Sequence, residues 1–196
     1  MARRLDYQFI EEHVPKGARV LDLGCGDGKL LEELIDERQV EGLGIEIDED
    51  MVRQCIARGV PVYHGDMYEA TEMFDDGSFD CVILSRTLQQ ALKPGRLIEE
   101  ILRIGEKGII SFPNFGRYTS RLRFLFSGRR PCTGDGNWSW YDTPNLHPLT
   151  VKDFEEFCRE KGLKILGQAY YTKGFFSVPS FMANLLATYA VFVVTE

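Results

Sequence analysis

Residues 20–31 read VLDLGCGDGKLL, and this stretch decides the fold of the chain. Apolar residues surround an acid, three glycines follow at alternate positions, and apolar residues then recur at helical spacing. The repeat therefore changes from that of a strand to that of a helix across the glycines. Glycines let the backbone turn sharply and let a ligand lie against the main chain, and a helix start offers unpaired N–H groups. We expect a first strand, a tight turn beside a ligand, and a first helix.

Two kinds of nucleotide-binding turn compete for this stretch. The G-x-G-x-x-G turn of nicotinamide and flavin proteins requires its third glycine at position 29, which is Lys29. The spacing of Asp22, Gly24, Gly26 and Gly28 instead resembles motif I of the class I methyltransferases, which bind S-adenosylmethionine. A nicotinamide oxidoreductase is therefore disfavoured, while an ordinary strand-to-helix connection without a ligand stays open.

Length and composition indicate a single globular domain that covers residues 1–196. The chain has 44% hydrophobic and 27% charged residues, which is ordinary for a folded protein. Its net charge of −7 argues against binding to nucleic acid, whose phosphates are neutralised by Lys and Arg. We therefore expect small molecules or proteins as partners.

Neither the cysteines nor the histidines form a metal or disulfide pattern. The cysteines are odd in number and lack a C-x-x-C pair, and the histidines are dispersed, so we expect reduced thiols and no metal. The first residues lack the apolar core of a secretory signal, which favours a cytoplasmic protein. Residues 175–194 carry no charge, but Pro179 and polar residues interrupt them, so we expect no membrane span. Their end at 189–194 is aromatic and β-branched, which favours a buried strand, and residues 175–186 are then a connection between the last two strands. The cysteines are Cys25, Cys55, Cys81, Cys132 and Cys158, and the histidines are His13, His64 and His147.

The remaining pattern predicts alternating strands and helices. Because parallel strands need helical crossovers, this order predicts an α/β three-layer αβα sandwich, Rossmann-like as in class I methyltransferases. Its sheet is mostly parallel and seven-stranded, with an antiparallel last strand. Helices are expected after the glycine turn and near residues 5–14, 49–57, 94–105 and 150–162. Strands are expected near residues 19–23, 42–48, 60–64, 79–85, 107–112, 163–171 and 188–194.

Acids fall at the carboxyl ends of the first three predicted strands, where α/β sheets bind ligands: Asp22, Glu46 and Asp66. The separation of Glu46 from Asp22 is close to the roughly twenty residues at which a carboxylate binds ribose hydroxyls. In the class I methyltransferases that the chain resembles, the acid in the place of Glu46 binds the ribose and the acid in the place of Asp66 meets the adenine amine. Met67 and Ser85 correspond to residues near the adenine and methionine portions. Each acid alone is equally explained as a solvated strand end.

Two classes of methyltransferase that modify nucleic-acid bases fit poorly. Enzymes that methylate the exocyclic amines of DNA carry a Pro-Pro-aromatic motif after the fourth strand, where residues 85–89 of this chain read SRTLQ. Pro131-Cys132 resembles the Pro-Cys of cytosine-C5 enzymes, but it follows the fifth strand and not the fourth. We therefore interpret Cys132 as a buried or incidental thiol.

An insertion at about 113–149, between the fifth strand and its following helix, separates this chain from a minimal methyltransferase. Residues 113–134 include five arginines and no acid, and Trp138 and Trp140 follow. The insertion is interpreted as a substrate lid, an anion site, a partner-docking surface, or a solvated face packed on its own aromatic core. An apolar segment at 175–186 should cover the core or meet a partner, and we favour the partner. One helix stripe is predicted within the insertion, formed by Tyr118, Leu122, Leu125 and Phe126.

The later motifs resemble one family, that of the methionine biosynthesis protein MetW. They include SFPNFG at residues 111–116, WYDTPNLH at 140–147, SRTLQ at 85–89 and GIEID at 44–48, and the resemblance covers nearly the whole chain. It implies a methyltransferase-like protein that binds S-adenosylmethionine or S-adenosylhomocysteine and works with homoserine O-acyltransferase. It implies no catalytic base, so an accessory protein and a small-molecule methyltransferase both stay open, as does self-association. The implied cofactor-binding residues are Asp22, Gly24, Cys25, Gly26, Gly28, Glu46, Ile47, Asp66, Met67 and Ser85.

Overall fold

The structure is a computed structural model that describes residues 5–131, 138–172 and 177–196. Its seven strands are β1 (Arg19–Leu23), β2 (Glu41–Glu46), β3 (Val62–His64), β4 (Cys81–Ser85), β5 (Gly108–Pro113), β6 (Lys164–Tyr171) and β7 (Tyr189–Thr195). They form one sheet in the order β3-β2-β1-β4-β5-β7-β6. β7 runs antiparallel to both of its neighbours, β5 and β6, and the other pairs are parallel. The predicted mostly parallel sheet with an antiparallel last strand is confirmed.

Helices cover both faces of this sheet. A single 3-10 turn at Leu88–Gln90 follows β4. The α-helices are α1 (Leu5–His13), α2 (Lys29–Arg38), α3 (Glu49–Ala57), α4 (Met67–Glu72), α5 (Pro94–Ile104), α6 (Tyr118–Ser127), α7 (Val151–Lys161) and α8 (Ser180–Leu186).

Alternate residues of the central strands pack into two separate cores. In β4, Cys81 and Ile83 face a core that also contains residues of α1, α2 and α3. Val82 and Leu84 face the opposite core, which contains residues of α4, α5, α7 and α8. A strand buried on both faces needs apolar side chains on both, which is why β4 is apolar up to its last residue. The two cores make the molecule a three-layer αβα sandwich, as predicted.

Two helices were not predicted from the sequence. α4 directly follows the strand-end residue Asp66, and α8 lies inside the uncharged segment that we expected to be a connection. Within the described ranges, no helix has the length and apolar character needed to cross a membrane. The predictions that concern Cys132 and residues 175 and 176 lie outside the described residues.

Candidate functional site

A cleft of about 820 Å³ opens where β1, β2, β3 and β4 end at the carboxyl edge of the sheet. Every residue of the predicted cofactor set lines this cleft except Gly28. The strand-end acids, which are far apart in the sequence, are therefore brought together as the parallel topology requires. The predicted residues in the wall are Asp22, Gly24, Cys25, Gly26, Glu46, Ile47, Asp66, Met67 and Ser85.

The glycine turn depends on residues without a side chain for two reasons. Gly24, Gly26 and Gly28 all have positive φ values, of 70°, 58° and 76°, which L-residues with a Cβ rarely adopt. A Cβ on Gly28 would also lie 2.8 Å from the Sγ of Cys55, so α3 packs directly on the turn. At Gly26 a Cβ would meet no protein atom within 4 Å, which leaves its backbone open to the cleft. Gly28 thus shapes the turn at the start of α2 without lining the cleft itself.

Glu46, the last residue of β2, is buried and connects β2 to the glycine turn. Its Oε2 accepts a hydrogen bond from the backbone N–H of Gly26 at 2.8 Å. Its Oε1 accepts from the N–H groups of Ile47 at 2.8 Å and Asp48 at 2.9 Å. These bonds fix the carboxylate in one orientation, and after three of them one acceptor position remains, on Oε2. Glu46 is therefore a preorganised acceptor in the cleft wall.

The other two strand-end acids differ in their surroundings. Asp22 is buried within β1. Asp66 is half-buried, and its Oδ1 caps α4 by accepting from the backbone N–H of Tyr68 at 2.7 Å and of Glu69 at 3.4 Å. The capping bonds hold the Asp66 carboxyl group at the rim of the cleft. The sequence analysis did not predict the helix that this cap begins.

Two thiols lie under the glycine turn. The Sγ atoms of Cys25 and Cys55 are 3.8 Å apart, and the Cys55 thiol donates to the carbonyl oxygen of Gly26 at 3.1 Å. Burial raises the pKa of both thiols, and the Asp22 carboxylate raises that of Cys25 further. Both cysteines are therefore neutral thiols near pH 7, which excludes them as thiolate nucleophiles there.

Arg86 lies in the cleft wall and was not predicted as a site residue. It has a φ of 60° directly after β4, and its Nε donates to the buried carboxylate of Asp6 in α1 at 3.2 Å. Its guanidinium lies 3.8 Å from the ring centroid of Tyr189. These contacts bind α1 to the loop after β4 and bring Tyr7 into the cleft wall. Residue spacing gives no sign of them, because the partners are 80 positions apart in sequence.

The insertion forms part of the cleft as well. Trp138 lines it, and the backbone N–H groups of Leu146 and His147 both donate to the carbonyl oxygen of Gln89, at 2.9 and 3.0 Å. The side chain of Gln89 in turn donates to the carbonyl oxygen of Arg86 at 2.6 Å. The TPNLH motif of the insertion is thus attached to the cleft through the loop after β4. The lining residues outside the predicted cofactor set are Tyr7, Asp27, Leu30, Ile45, Asp48, Met51, Gly65, Arg86, Thr87, Gln90 and Trp138.

The polar groups in the cleft wall are mainly carboxylates and backbone groups. Among the described residues that line it, the ionisable side chains are five carboxylates with Tyr7, Cys25 and Arg86, and no histidine or lysine takes part. Such a wall can accept hydrogen bonds from hydroxyl and amine groups and can hold a cationic centre.

Comparison with known proteins assigns the family. The family model described as "Methionine biosynthesis protein MetW" matches residues 4–194. The chain belongs to the MetW family. A similar relative is the "Bifunctional methionine biosynthesis protein MetXA/MetW" of Rhodopirellula baltica, which is 32% identical over 176 residues. That alignment covers 85% of this MetW-family chain but 28% of the relative, so the chain spans less than a third of the relative's length.

Solved structures of S-adenosylmethionine-dependent methyltransferases share the fold of this MetW-family chain. A SAM-dependent methyltransferase from Archaeoglobus fulgidus superposes with a TM-score of 0.69 at 17% identity, covering 97% of this chain and 94% of that one. An S-adenosylmethionine-dependent methyltransferase from Mesorhizobium loti gives the same TM-score and identity, covering 97% of both chains. At this level of identity the likeness establishes the class I methyltransferase fold.

Proposed function

We propose that this chain binds S-adenosylmethionine or S-adenosylhomocysteine in the cleft and acts as an accessory partner of homoserine O-acyltransferase in the cytoplasm. The observation that carries the cofactor proposal is Glu46, a buried carboxylate whose orientation is fixed by Gly26, Ile47 and Asp48 beside an open glycine turn. A fixed carboxylate with a remaining acceptor position at the end of the second strand suits a ribose hydroxyl.

The other cleft residues fit the rest of this cofactor. Ile47 and Met67 offer apolar surface for an adenine ring, and the capped carboxyl group of Asp66 offers an acceptor for its amine. The open backbone at Gly26 and the hydroxyl of Ser85 line the side expected to hold the methionine portion. When bound, S-adenosylmethionine supplies a methyl group on a positively charged sulfur, and the surrounding carboxylates favour that charge.

The partner proposal rests on the family. The relative from Rhodopirellula baltica carries both MetXA and MetW in its name, as one bifunctional protein. We infer that the MetXA portion is the acyltransferase and that a separate MetW-family chain associates with the corresponding enzyme. Fusion of two portions in one chain holds them at high effective concentration, which is useful where the two portions must meet.

Calorimetry with S-adenosylmethionine, S-adenosylhomocysteine and NAD tests the cofactor. We expect the first two to bind and NAD not to bind. Glu46→Gln keeps the size of the side chain but replaces a charged acceptor, so affinity should fall about 10- to 100-fold, or about 1–3 kcal/mol. The matched control is Glu49→Gln, which removes the same charge from an exposed side chain of α3. Equal affinities for the native protein and Glu46→Gln would refute the ribose assignment.

The second candidate function is a methyltransferase that acts on a small molecule. The cleft favours it, because Tyr7, Arg86 and Trp138 wall it beyond the predicted cofactor residues and leave room for an acceptor. Since no histidine or lysine lines the described cleft, proton removal from an acceptor would fall to a carboxylate. A screen for methyl transfer to small hydroxyl, amine and thiol acceptors decides between the two functions. Robust transfer would make the enzyme the primary function.

A further inference from the structure

Helix α6 turns its apolar stripe away from the protein. Tyr118, Leu122, Leu125 and Phe126 recur at i, i+4, i+7 and i+8, and all four are exposed, Leu125 by 72% and Phe126 by 81%. The buried residue of this helix is Ser120, a polar side chain. A surface helix normally packs its apolar stripe on the core. The interpretation of the insertion as a face packed on its own aromatic core is therefore wrong for this helix.

The arginines around α6 also differ from those elsewhere in the described chain. Every described arginine outside the insertion has a carboxylate oxygen within 4.0 Å: Arg19, Arg38, Arg53, Arg58, Arg86, Arg96, Arg103 and Arg159. None of the arginines of the insertion has such a described partner, although the chain as a whole carries a net charge of −7. This set, unpaired with respect to the described carboxylates, is Arg117, Arg121, Arg123, Arg129 and Arg130. The exposed stripe thus lies within a local cationic surface.

A buried asparagine joins α8 to the loop that leads into α6, and α8 exposes apolar residues of its own. The Nδ2 of Asn114 donates to three carbonyl groups of α8 and its C-terminal end, at 3.0–3.3 Å. Its Oδ1 accepts from the N–H of Gly116, just before α6, at 2.9 Å and from Val151, at the start of α7, at 3.4 Å. On α8, Phe181 is 85% exposed. Asn114 therefore ties α8 to the chain segment from which α6 begins.

We propose that these residues form a docking face for the acyltransferase, an inference that rests on the proposed function. The docking face comprises Tyr118, Leu122, Leu125, Phe126 and Phe181 with the five unpaired arginines. It fits a protein surface that offers an apolar centre and a rim of Asp and Glu side chains. Aromatic and arginine side chains are the types that contribute most of the binding energy at protein interfaces.

Charge argues against a second copy of this chain as the occupant. Two copies that met symmetrically through this face would bring their arginine sets together, and such like-charge contacts are unfavourable. An asymmetric contact between two copies would leave one docking face free, and further copies would add to a ring or an open chain. The apolar side chains are distributed over two helices, and Asn114 links α8 to the loop before α6. This arrangement suits a protein surface better than a single helix lying in a bilayer.

Binding of purified homoserine O-acyltransferase to the full chain tests the docking face. Phe126→Asp, Phe181→Asp and Arg123→Glu should each weaken the affinity about tenfold or more, and added salt should weaken native binding. The matched controls are Ile56→Asp, which alters a side chain 65% exposed on α3, and Arg53→Glu on the same helix. α3 packs beside β2 and β3, near the edge of the sheet opposite to β5, β7 and β6. Both control variants should therefore bind the acyltransferase as the native chain does. Circular dichroism confirms that each variant is folded.

The possible failures are distinguishable. If native protein does not bind the acyltransferase, the partner proposal itself fails. If native protein binds and the α6 variants bind equally well, the partner proposal stands and the docking face is refuted. A third outcome is that Phe126→Asp keeps acyltransferase binding but loses self-association or binding to vesicles of anionic phospholipid. This outcome would assign the face to a second copy or to a membrane and would also overturn the inference.

Discussion

Replacement of Asn114 by Ala tests the junction between the insertion and the fold. Its buried side-chain amide forms hydrogen bonds only to backbone atoms among the described residues. The shortest are the bond accepted from the N–H of Gly116 at 2.9 Å and the bond donated to the carbonyl oxygen of Ala187 at 3.0 Å. In Asn114→Ala, the N–H of Gly116 and the carbonyl oxygen of Ala187 both lose this partner. A buried polar group that loses its partner costs about 1–3 kcal/mol, so we expect the free energy of unfolding to fall by about 2–6 kcal/mol. That is a large part of the stability of a typical domain, which is about 5–15 kcal/mol.

Urea denaturation measures this loss, and hydrogen exchange locates it. We expect faster exchange in α6 and α8 of Asn114→Ala and little change in α2, which contacts neither side of the junction. Asn184→Ala is the matched control, because the side chain of Asn184 accepts one long hydrogen bond, from Lys152 at 3.4 Å. That variant should lose less than about 1 kcal/mol. A loss below about 1 kcal/mol for Asn114→Ala, or unchanged exchange in both helices, would show that the junction does not hold them.

Three further predictions follow from the site and the strands. Gly28→Ala should lower the free energy of unfolding by about 2–4 kcal/mol through its positive φ and the contact with Cys55, whereas Gly77→Ala, with a φ of 67° and no atom within 4 Å, should lose about 1–2 kcal/mol. Hydrogen bonds from the backbone and side chain of Arg19 lower the pKa of Asp80 in the folded protein. The ionised Asp80 therefore stabilises the fold above the pKa of the unfolded chain, and this stabilisation is lost on acidification. In urea denaturation, the loss of unfolding free energy caused by Asp80→Asn should be largest near pH 7 and should shrink below about pH 4. Saturating S-adenosylmethionine should change the affinity for the acyltransferase in calorimetry, and an unchanged affinity would refute coupling between the cofactor cleft and the partner.

Local patterns in the sequence were sufficient for most of the fold. Strand and helix periods, the glycine turn and the capped start of α7 at Thr150 are local signals, and each appears in the structure where the sequence predicts it. α4 was missed because its single turn and a half carries no repeated apolar stripe. α8 was missed because its uncharged run lacks the polar face that marks a surface helix.

The site was only partly predictable for a different reason. Acids at strand ends can be placed together from topology alone, because parallel strands end at the same edge of the sheet. Arg86 and Tyr7 meet there through an ion pair with Asp6 that depends on where α1 packs, which no local pattern encodes. Similarly, the period of α6 predicts that it has an apolar stripe, but a period says nothing about which side of a helix meets the protein. Only the packing reveals that this stripe points outward.

The insertion at 113–149 contributes residues both to the cleft and to the docking face. A ligand in the cleft can therefore influence a partner on that face through the insertion. Trp138 of the insertion lines the cleft, and residues 146 and 147 hydrogen-bond to Gln89, whose side chain contacts Arg86 in the cleft wall. Arg130, three residues after the end of α6, donates to the carbonyl oxygen of Asn145 at 2.9 Å. A ligand that contacts Trp138 or the loop after β4 therefore acts on the segment that carries the docking face. If the ligand favours one arrangement of that segment, the partner must favour or oppose the ligand by the same factor, because coupling between two binding sites is reciprocal.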